Sequence, residues 1–327
     1  MSVVLTKSRL LNALRCYWNY ALSRLGLVRI SHMPLFVSVE PSSVCQLRCP
    51  ECPVGMGNAQ SSNRQSSDRQ SPWMSREVWA KTLREAAPYA HTIQFYFQGE
   101  PLLNKDLPTM IREAHEAGLY TIVSTNAQLI TDELAAELIR AGLDRIIVSM
   151  DGLTDESYNA YRVGGSLAKC KAALRSLYKE RSRVGGHTLI ELQCLRLRTN
   201  EQEWDTFRKE YKHLGADRLV FKTAQLYDYQ NGHPLMPSDP KYSRYIKGSD
   251  GKYRRRRLGK GCFRVWSGVV VSTAGEVLPC CYDKAHAYAY GNIKEYNLAE
   301  LFTNERAMAF RKAAFSETPQ ICKECWR

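Results

Sequence analysis

The stretch VEPSSVCQLRCPECPVG, residues 39–55, directly follows an apolar run and places Cys45, Cys49 and Cys52 within eight residues. Three thiols with the spacing C-x3-C-x2-C are an odd set, because structural zinc sites and disulfide frameworks use four cysteines or an even number. A cubane iron–sulfur cluster is normally held by four thiolates, so three leave one iron with an open position. The loop is therefore predicted to hold a [4Fe–4S] cluster with the open position that a catalytic metal requires.

A zinc ion is the alternative occupant of this loop. It would need a fourth protein ligand, and no further cysteine lies nearby. The nearest histidines are His32, which precedes the first apolar run, and His91, which lies well beyond the loop. The spacing therefore favours the iron–sulfur cluster over zinc.

Short apolar runs alternate with helical patterns after residue 34. Strands are predicted at 35–40, 92–98, 119–125, 145–150, 188–195 and 217–224, and helices at 75–87, 107–118, 131–142, 166–181 and 201–215. Strands separated by helices indicate parallel βαβ units, in an open doubly wound sheet or a curved partial barrel. In both folds, ligands bind at the C-terminal ends of the strands, where the three cysteines lie.

The composition indicates a globular chain with a basic surface. In 327 residues, 46 Lys and Arg against 33 Asp and Glu give a net charge of +13. This balance favours an acidic, phosphorylated or anionic-membrane partner, or a solvated basic face. No signal peptide or apolar run of 18 residues is recognised, so a reducing, cytoplasmic location is expected. In that compartment the clustered cysteines are metal ligands or catalytic groups rather than disulfides.

The N-terminal segment, residues 1–34, reads as an amphipathic helix. Leu11, Leu14, Trp18, Ala21 and Leu25 fall on one stripe, with basic residues off it. The stripe is predicted to pack against the body of the protein. Peripheral contact of residues 5–29 with an anionic membrane is the alternative that we do not favour.

Three further segments stand outside the alternating pattern. Residues 55–71 are rich in Ser, Gln and Asn and are predicted to form a flexible loop. Residues 225–261 are predicted to be a linker, and the Arg254–Arg257 run within it a solvated face. Residues 262–281 are predicted to form a β-hairpin that turns at Gly275, and a short helix is expected around 297–314.

The C-terminal part of the chain contains a second cysteine set. Its four members have the pattern C-x17-C and C-x2-C: Cys262, Cys280, Cys322 and Cys325. Four thiolates fit a closed tetrahedral zinc site and a [4Fe–4S] cluster about equally well. The presence of the first cluster favours iron–sulfur here too. Cys16, Cys170 and Cys194 lie within predicted helices or a strand and are interpreted as packing residues.

C-x3-C-x2-C after the first strand resembles the radical S-adenosylmethionine (SAM) enzymes. The resemblance implies a partial (β/α)6 TIM-like barrel over residues 35–224. It also implies a [4Fe–4S] cluster whose open iron binds SAM, which is cleaved reductively to a 5′-deoxyadenosyl radical that abstracts hydrogen from a substrate. An electron donor such as flavodoxin or ferredoxin follows from the same resemblance.

Strand-end motifs extend this resemblance. QGEP (98–101), STN (124–126), SMDG (149–152) and YRVGG (161–165) follow the second, third and fourth strands in order. By resemblance the SAM-binding residues are Gly99, Glu100, Asn126, Ser149, Asp151 and Arg162, with Ser149 and Asp151 on the ribose and Arg162 on the SAM carboxylate. Gln98 replaces the family's first glycine, and Glu51 stands where the family often has an aromatic residue beside the adenine.

Residues 262–327 resemble a truncated SPASM or Twitch module. In such modules an auxiliary [4Fe–4S] cluster is bound by cysteines, and the missing later cysteines imply one cluster here. Some peptide-oxidising relatives have an Asp directly after the second cysteine, where this chain has Cys281. Cys281 as a hydrogen or proton donor and Asp283 as a base are therefore the catalytic candidates, and an inert buried thiol is the alternative for Cys281.

The sequence predicts a radical SAM enzyme that oxidises or cross-links a peptide or protein. Dehydrogenation of a small carbohydrate-like metabolite by the same chemistry is the alternative. A non-catalytic zinc-binding adaptor or nucleic-acid-binding protein would explain the charge, but not three cysteines without a fourth or the strand-end motifs. We therefore expect no nucleic-acid partner.

Overall fold

The first strand, β1 (Phe36–Val39), lies inside a nine-stranded sheet that extends on both sides of it. The computed structural model describes residues 5–57, 71–256, 261–323 and 325. Most of the predicted flexible loop 55–71, and the end of the Arg254–Arg257 run, lie outside the described residues.

Six strands of this sheet are parallel and follow one another in chain order. They are β1, β2 (Thr92–Phe95), β3 (Tyr120–Thr125), β4 (Arg145–Ser149), β5 (Leu189–Arg196) and β6 (Arg218–Thr223). The order β1 to β6 and the intervening helices make the predicted partial (β/α)6 barrel. Every predicted strand is present, each within three residues of its expected ends.

Helices cover this sheet at the expected places. They are α1 (Lys7–Arg24), α2 (Arg76–Ala86), α3 (Leu107–Glu116), α4 (Asp132–Arg140), α6 (Leu167–Val184) and α7 (Trp204–Glu210). A short helix that the sequence analysis did not predict, α5 (Asp155–Asn159), precedes α6. The predicted cap Ser75 accepts from the amide of Val78, and Thr131 accepts from that of Leu134. Helix α7 is shorter than predicted because residues 198–203 form 3-10 turns.

The C-terminal hairpin is part of the same sheet rather than a separate layer. Strand β9 (Gly268–Val271) pairs parallel with β1, and β10 (Glu276–Leu278) pairs antiparallel with β9. Gly275 turns the hairpin with a φ of +90°, which favours glycine. The predicted hairpin is too long at its start, because residues 263–267 form a helix, α8 (Phe263–Ser267).

The remaining elements complete this region. Strand β11 (Gly291–Asn292) pairs with β10, followed by α9 (Leu298–Thr303), α10 (Glu305–Ser316) and α11 (Gln320–Lys323). The helix expected around 297–314 is thus divided in two at Asn304, whose side chain caps α10 by accepting from the amide of Ala307.

The described residues of the segment 225–261 are more structured than a linker. Strands β7 (Tyr245–Lys247) and β8 (Tyr253–Arg255) form an antiparallel ribbon within it. Buried side chains of the segment, among them Leu226, Met236 and Tyr245, form a hydrophobic cluster with Leu47 and Cys49 of the cysteine loop. The segment therefore covers the C-terminal edge of the sheet.

Helix α1 lies against the body with the face opposite to the predicted one. The expected stripe of Leu11, Leu14, Trp18, Ala21 and Leu25 is exposed throughout. The buried positions are instead mostly polar: Arg9, Asn12, Cys16, Asn19 and Ser23. The prediction that the stripe is buried is wrong, because hydrogen bonds, rather than apolar packing alone, hold this helix. Among the described helices, none is both long and apolar enough to cross a bilayer.

Candidate active site

A cavity of about 430 Å³ opens at the C-terminal edge of the parallel strands. Cys45, Cys49 and Cys52 line one side of it. The other predicted site residues that line it come from the ends of β2, β3 and β4 and from the loop after α5: Gly99, Glu100, Asn126, Ser149 and Arg162. The fold thus brings together residues separated by more than 100 positions in the chain.

Amide groups surround the first cysteine of the loop. The backbone N–H of Leu47 lies 3.4 Å from Cys45 Sγ, and Nδ2 of Asn126 lies 3.5 Å from the same sulfur. Gln46 Nε2 donates to Oδ1 of Asn126 at 3.1 Å, which fixes the orientation of the amide. Both N–H groups point at the sulfur, as donors to a metal-bound thiolate do.

The remaining loop contacts are backbone bonds. Arg48 N donates to Val163 O at 2.9 Å, and Met56 N donates to Cys52 O at 2.8 Å. The first bond ties the cysteine loop to the segment that contains Arg162. The three thiols are therefore held on a loop fixed from two sides.

The thiol chemistry fits a cluster. Burial raises the pKa of the Cys45 thiol to about 11 and also raises that of Cys49. Thiolates at neutral pH in this site accordingly require a bound cationic centre, such as iron, to stabilise them. Across the described part of the chain, no three His, Cys, Asp or Glu side chains converge as the ligands of one metal ion do. A cubane has separate irons and does not require its thiolates to meet at one point.

Gly99 allows the end of β2 to approach the cysteine loop. A Cβ atom at this position would lie 2.3 Å from Ser42 O and 2.6 Å from Val44 O, both backbone atoms. Next to it, Glu100 N donates to Val44 O at 2.8 Å. Glycine is thus required at the second position of QGEP because two backbone segments meet there.

Glu100 joins the ends of β2 and β3. Its fully buried carboxylate accepts from Thr125 Oγ1 at 2.6 Å, from Asn126 N at 2.8 Å and from Leu102 N at 3.2 Å. Burial raises its pKa, and the three donors oppose that rise. These bonds position Asn126 beside Cys45.

Asp151 does not line the cavity. Its Oδ2 accepts from Arg162 Nε at 2.6 Å, and its Oδ1 accepts from Leu195 N at 2.6 Å. Both carboxylate oxygens thus have protein partners, and the side chain is fully buried. The geometry favours a role in orienting Arg162 over the predicted contact with ribose, while Ser149 lines the cavity as expected.

The second cysteine set flanks the elements of the C-terminal region, with Cys262 before α8, Cys280 after β10 and Cys322 in α11. Burial raises the pKa of Cys280 well above its usual value, and the neighbouring thiols Cys281, Cys325 and Cys322 contribute to the rise. The charge of the Arg264 guanidinium interacts with Cys281, Cys280 and Cys262, and these thiols raise the pKa of Arg264 despite its burial. The four thiols of this set are therefore close together: Cys262, Cys280, Cys322 and Cys325.

Comparison with known families agrees with this geometry. The model of the radical SAM superfamily matches residues 39–207, which contain the cysteine loop and strands β2 to β5. This chain belongs to the radical SAM superfamily. A second model, that of an iron–sulfur cluster-binding domain called SPASM, matches residues 262–326. SAM and [4Fe–4S] clusters, including an auxiliary cluster, are accordingly the cofactors of this radical SAM enzyme.

Individual proteins resemble this radical SAM enzyme over most of its length. A PqqA peptide cyclase of Granulibacter bethesdensis is 26% identical over 320 residues, which cover 90% of this chain and 80% of the relative. A tungsten-containing aldehyde ferredoxin oxidoreductase cofactor-modifying protein of Pyrococcus furiosus is 25% identical over 321 residues, with 89% and 86% covered. The solved structure of native anSMEcpe with bound AdoMet and Cp18Cys peptide has a TM-score of 0.60 at 21% identity, with 89% and 86% covered.

The two catalytic candidates lie near the second cysteine set of the radical SAM enzyme and do not line the cavity. Asp283 is fully buried, and its carboxylate accepts from Ala287 N and Tyr288 N, each at 2.9 Å. This arrangement indicates a cap of the following loop rather than a base. Cys281 is half-buried, and its sulfur lies 3.5 Å from Nη1 of Arg264.

Glu51 has a structural contact that the sequence did not reveal. Its Oε2 accepts from Tyr227 N at 2.6 Å, and its Oε1 lies 3.1 Å from Nε2 of His233. The residue at this departure from the radical SAM pattern therefore attaches the cysteine loop to the covering segment 225–261.

A cationic wall of the cavity also escaped the sequence analysis. Lys222, Arg244 and Lys284 line the cavity, and within the described residues none of them has an ion pair with a carboxylate. Arg244 donates to Thr223 O and to the hydroxyl of Tyr282. Burial lowers the pKa of Lys284. Lys222 was predictable because it lies near the C-terminal end of β6, where ligand-binding residues are expected. Arg244 and Lys284, in contrast, come from distant loops.

Proposed function

We propose that this radical SAM enzyme abstracts hydrogen from a carbon of a peptide or protein and thereby oxidises or cross-links it. The observation that carries the proposal is one cavity that joins the three thiols of the cysteine loop to the cationic wall of Lys222, Arg244 and Lys284. In this proposal the cofactor binds at the thiols, and the substrate binds at the cationic wall.

Cys45, Cys49 and Cys52 hold the cluster in this proposal, and SAM lies along Gly99, Asn126, Ser149 and Arg162. When bound, cluster and SAM supply the radical that abstracts hydrogen. Arg162 binds the SAM carboxylate because its guanidinium, oriented by Asp151, still lines the cavity. The amides of Leu47 and Asn126 donate to Cys45 Sγ and thereby tune the cluster.

The relatives support a peptide substrate. A peptide cyclase is similar over 90% of this chain, and the fold is that of an enzyme solved with a bound peptide. The cationic wall suits a carboxylate or phosphate of such a peptide, because the side chains of Lys284 and Arg244 donate to neutral groups. An acidic side chain near the reacting carbon is thus the preferred substrate feature.

Cys262, Cys280, Cys322 and Cys325 hold one auxiliary cluster. Removal of a hydrogen atom from carbon leaves an unpaired electron, which must be removed together with a proton for a net two-electron oxidation. An auxiliary cluster supplies an acceptor for that electron, and flavodoxin or ferredoxin supplies the electron that starts the reaction.

The proposed SAM cleavage at the cysteine loop is tested by incubating the anaerobically reconstituted full-length protein with dithionite and SAM. The wild type is expected to produce 5′-deoxyadenosine, and Cys45→Ala is expected to produce none because the cluster loses an anchor. Cys16→Ala, at a buried thiol of α1 that does not line the cavity, is the matched control. Unchanged 5′-deoxyadenosine formation in Cys45→Ala would contradict the proposed site.

A second experiment tests the substrate class. Acidic peptides are expected to stimulate SAM cleavage by the active enzyme more strongly than their amide counterparts do. Arg244→Gln should raise the KM for acidic peptides by at least about tenfold, as the loss of a charge-assisted bond implies. Lys212→Gln, at an exposed site after α7, is the control. Oxidation of a small sugar-like compound with no response to any peptide would favour the alternative substrate class.

A further inference from the structure

Helix α1 is attached to the protein by polar groups. The guanidinium of Arg9 donates to Ala87 O at 2.8 Å, to Ala117 O at 2.7 Å and to Gly118 O at 2.5 Å. These carbonyls lie at the C-terminal ends of α2 and α3, where a cation is favoured by the helix dipoles. One buried arginine thus attaches α1 to two helices of the barrel.

Two asparagines continue the same attachment. Asn12 Nδ2 donates to Met33 O at 3.0 Å, and its Oδ1 accepts from Met33 N at 2.7 Å. Asn19 Nδ2 lies 2.9 Å from Nδ1 of the buried His32. The orientation of the helix about its own axis is therefore fixed by directional bonds.

This orientation turns the apolar face of α1 outward. Leu10, Leu14 and Trp18 are 53%, 58% and 66% exposed, and Leu25 just beyond the helix is 77% exposed. Leu10, Leu14 and Trp18 are four residues apart and Leu25 follows seven residues later, so they form one stripe along the helix. A contiguous exposed apolar face on a folded protein marks an interaction site.

The charges beside the stripe are of one sign. Residues 1–39 contain no Asp or Glu, and Lys7, Arg15, Arg24 and Arg29 are all exposed. The helix also has two exposed aromatic rings with polar edges, those of Tyr17 and Trp18. Leu, Trp and Tyr flanked by Lys and Arg are the composition of helices that lie in the interface of an anionic bilayer.

We propose that the outward face of α1 binds an anionic lipid surface, with the helix parallel to the membrane plane. The helix is about 27 Å long at 1.5 Å per residue, and its basic residues exclude a spanning orientation. Tyr17 stacks on Phe263 of α8 with ring centroids 4.8 Å apart, so binding through α1 also orients the C-terminal domain. The membrane contact orients the whole enzyme because α1 is fixed to its body.

A second copy of the chain is the less suitable occupant. Two α1 faces in contact would bring the exposed cations of both copies together, with no carboxylate in residues 1–39 to neutralise them. Phosphatidylglycerol or another anionic lipid provides the missing negative charge. Charge complementarity therefore selects the membrane.

Co-sedimentation of the full-length protein with phosphatidylcholine vesicles, with and without phosphatidylglycerol, tests this proposal. Binding is expected to require the anionic lipid and to weaken with salt. The double variant Leu14→Asp, Trp18→Asp should lose binding, at least about tenfold, because charged groups replace the inserting side chains. The control double variant Ile246→Asp, Tyr296→Asp changes two exposed apolar residues outside α1 and should bind as the wild type does.

A second pair of variants tests the charges alone. Arg15→Gln with Arg24→Gln should weaken binding by roughly fivefold per charge, whereas Arg175→Gln with Lys209→Gln, on α6 and α7, should not. Retained 5′-deoxyadenosine formation without vesicles shows that each variant is folded.

Three results would overturn the proposal. They are the absence of vesicle binding, equal binding by the Leu14 and Trp18 double variant, and a wild-type dimer in sedimentation velocity that this variant converts to monomer. The last result would assign the face to a second copy.

Discussion

Arg162 Nε donates to Asp151 Oδ2 over 2.6 Å, and this ion pair links the end of β4 to the loop that follows α5. Burial disfavours the charge of Arg162, but Asp151 and Cys49 raise the pKa of the guanidinium well above its usual value. The charged side chain thus stays at the cavity because Asp151 compensates for its desolvation.

Asp151→Asn is expected to weaken SAM binding more than it slows turnover. The amide keeps the size of the side chain but leaves Arg162 without its charge partner, so the guanidinium loses its orientation. The KM for SAM should rise at least about tenfold, or about 1.4 kcal/mol, with a smaller change in kcat. Steady-state measurement of 5′-deoxyadenosine formation separates the two constants.

Asp155→Asn is the matched control, because Asp155 is exposed in the first turn of α5. It should leave the KM unchanged. An equal loss of kcat with an unchanged KM in Asp151→Asn would show that Asp151 does not act through Arg162.

Gly99→Ala is expected to remove the first cluster. The new methyl carbon would lie 2.3 Å from Ser42 O, so the cysteine loop must move away from the end of β2. Iron content after reconstitution should fall from about eight to about four per chain, as the loss of one of two cubanes implies. Iron analysis and SAM cleavage assays measure the two consequences.

Gly26→Ala serves as the comparison for this substitution. Its methyl group meets no atom within 4 Å, and the positive φ of 86° adds only about 1 kcal/mol of strain. Full iron content in Gly99→Ala would show that the close approach of the two backbones is not needed to form the site.

Cys322→Ala is expected to separate SAM cleavage from substrate turnover. Cys322 is buried beside Cys280 and belongs to the proposed auxiliary cluster, outside the cavity. The variant should keep about four irons and continue to form 5′-deoxyadenosine, while product from the true substrate disappears. Full turnover on substrate would show that this cluster is dispensable.

The sheet and the cysteine loop were predictable because their signals are local. Buried parallel strands are continuous apolar runs, and the helices between them carry caps such as Ser75 and Thr131. Because the C-terminal ends of parallel strands meet at one edge of the sheet, Gly99, Asn126 and Ser149 could be placed at that edge without knowledge of any contact.

The features that were missed depend on long-range pairing. Nothing in GVVV (268–271) shows that it pairs with β1, 232 residues earlier, rather than forming a separate hairpin. Likewise, periodicity finds the apolar stripe of α1 but not its direction. The direction is set by Arg9 and Asn12, which reach backbone carbonyls that no sequence pattern reveals.

Acidification is expected to loosen α1 from the body through His32. The ring accepts from Asn19 Nδ2 and donates from Nε2 to Trp266 O, each at 2.9 Å, so both nitrogens are used in the neutral form. Burial lowers the pKa of His32 to about 4, and the bond to the Trp266 carbonyl partly opposes this effect. In the unfolded chain the pKa is about 6.5, so the unfolded state binds more protons between these values. The stabilisation is complete above pH 6.5 and decreases as the pH falls toward 4, by about 2 kcal/mol at pH 5.

Amide hydrogen exchange of residues 7–24 at pH 7 and pH 5, corrected for intrinsic rates, measures this loss. His32→Gln keeps one donor and one acceptor but does not titrate, so its exchange protection should be the same at both pH values. Equal pH dependence in the variant and the wild type would assign the effect to another group.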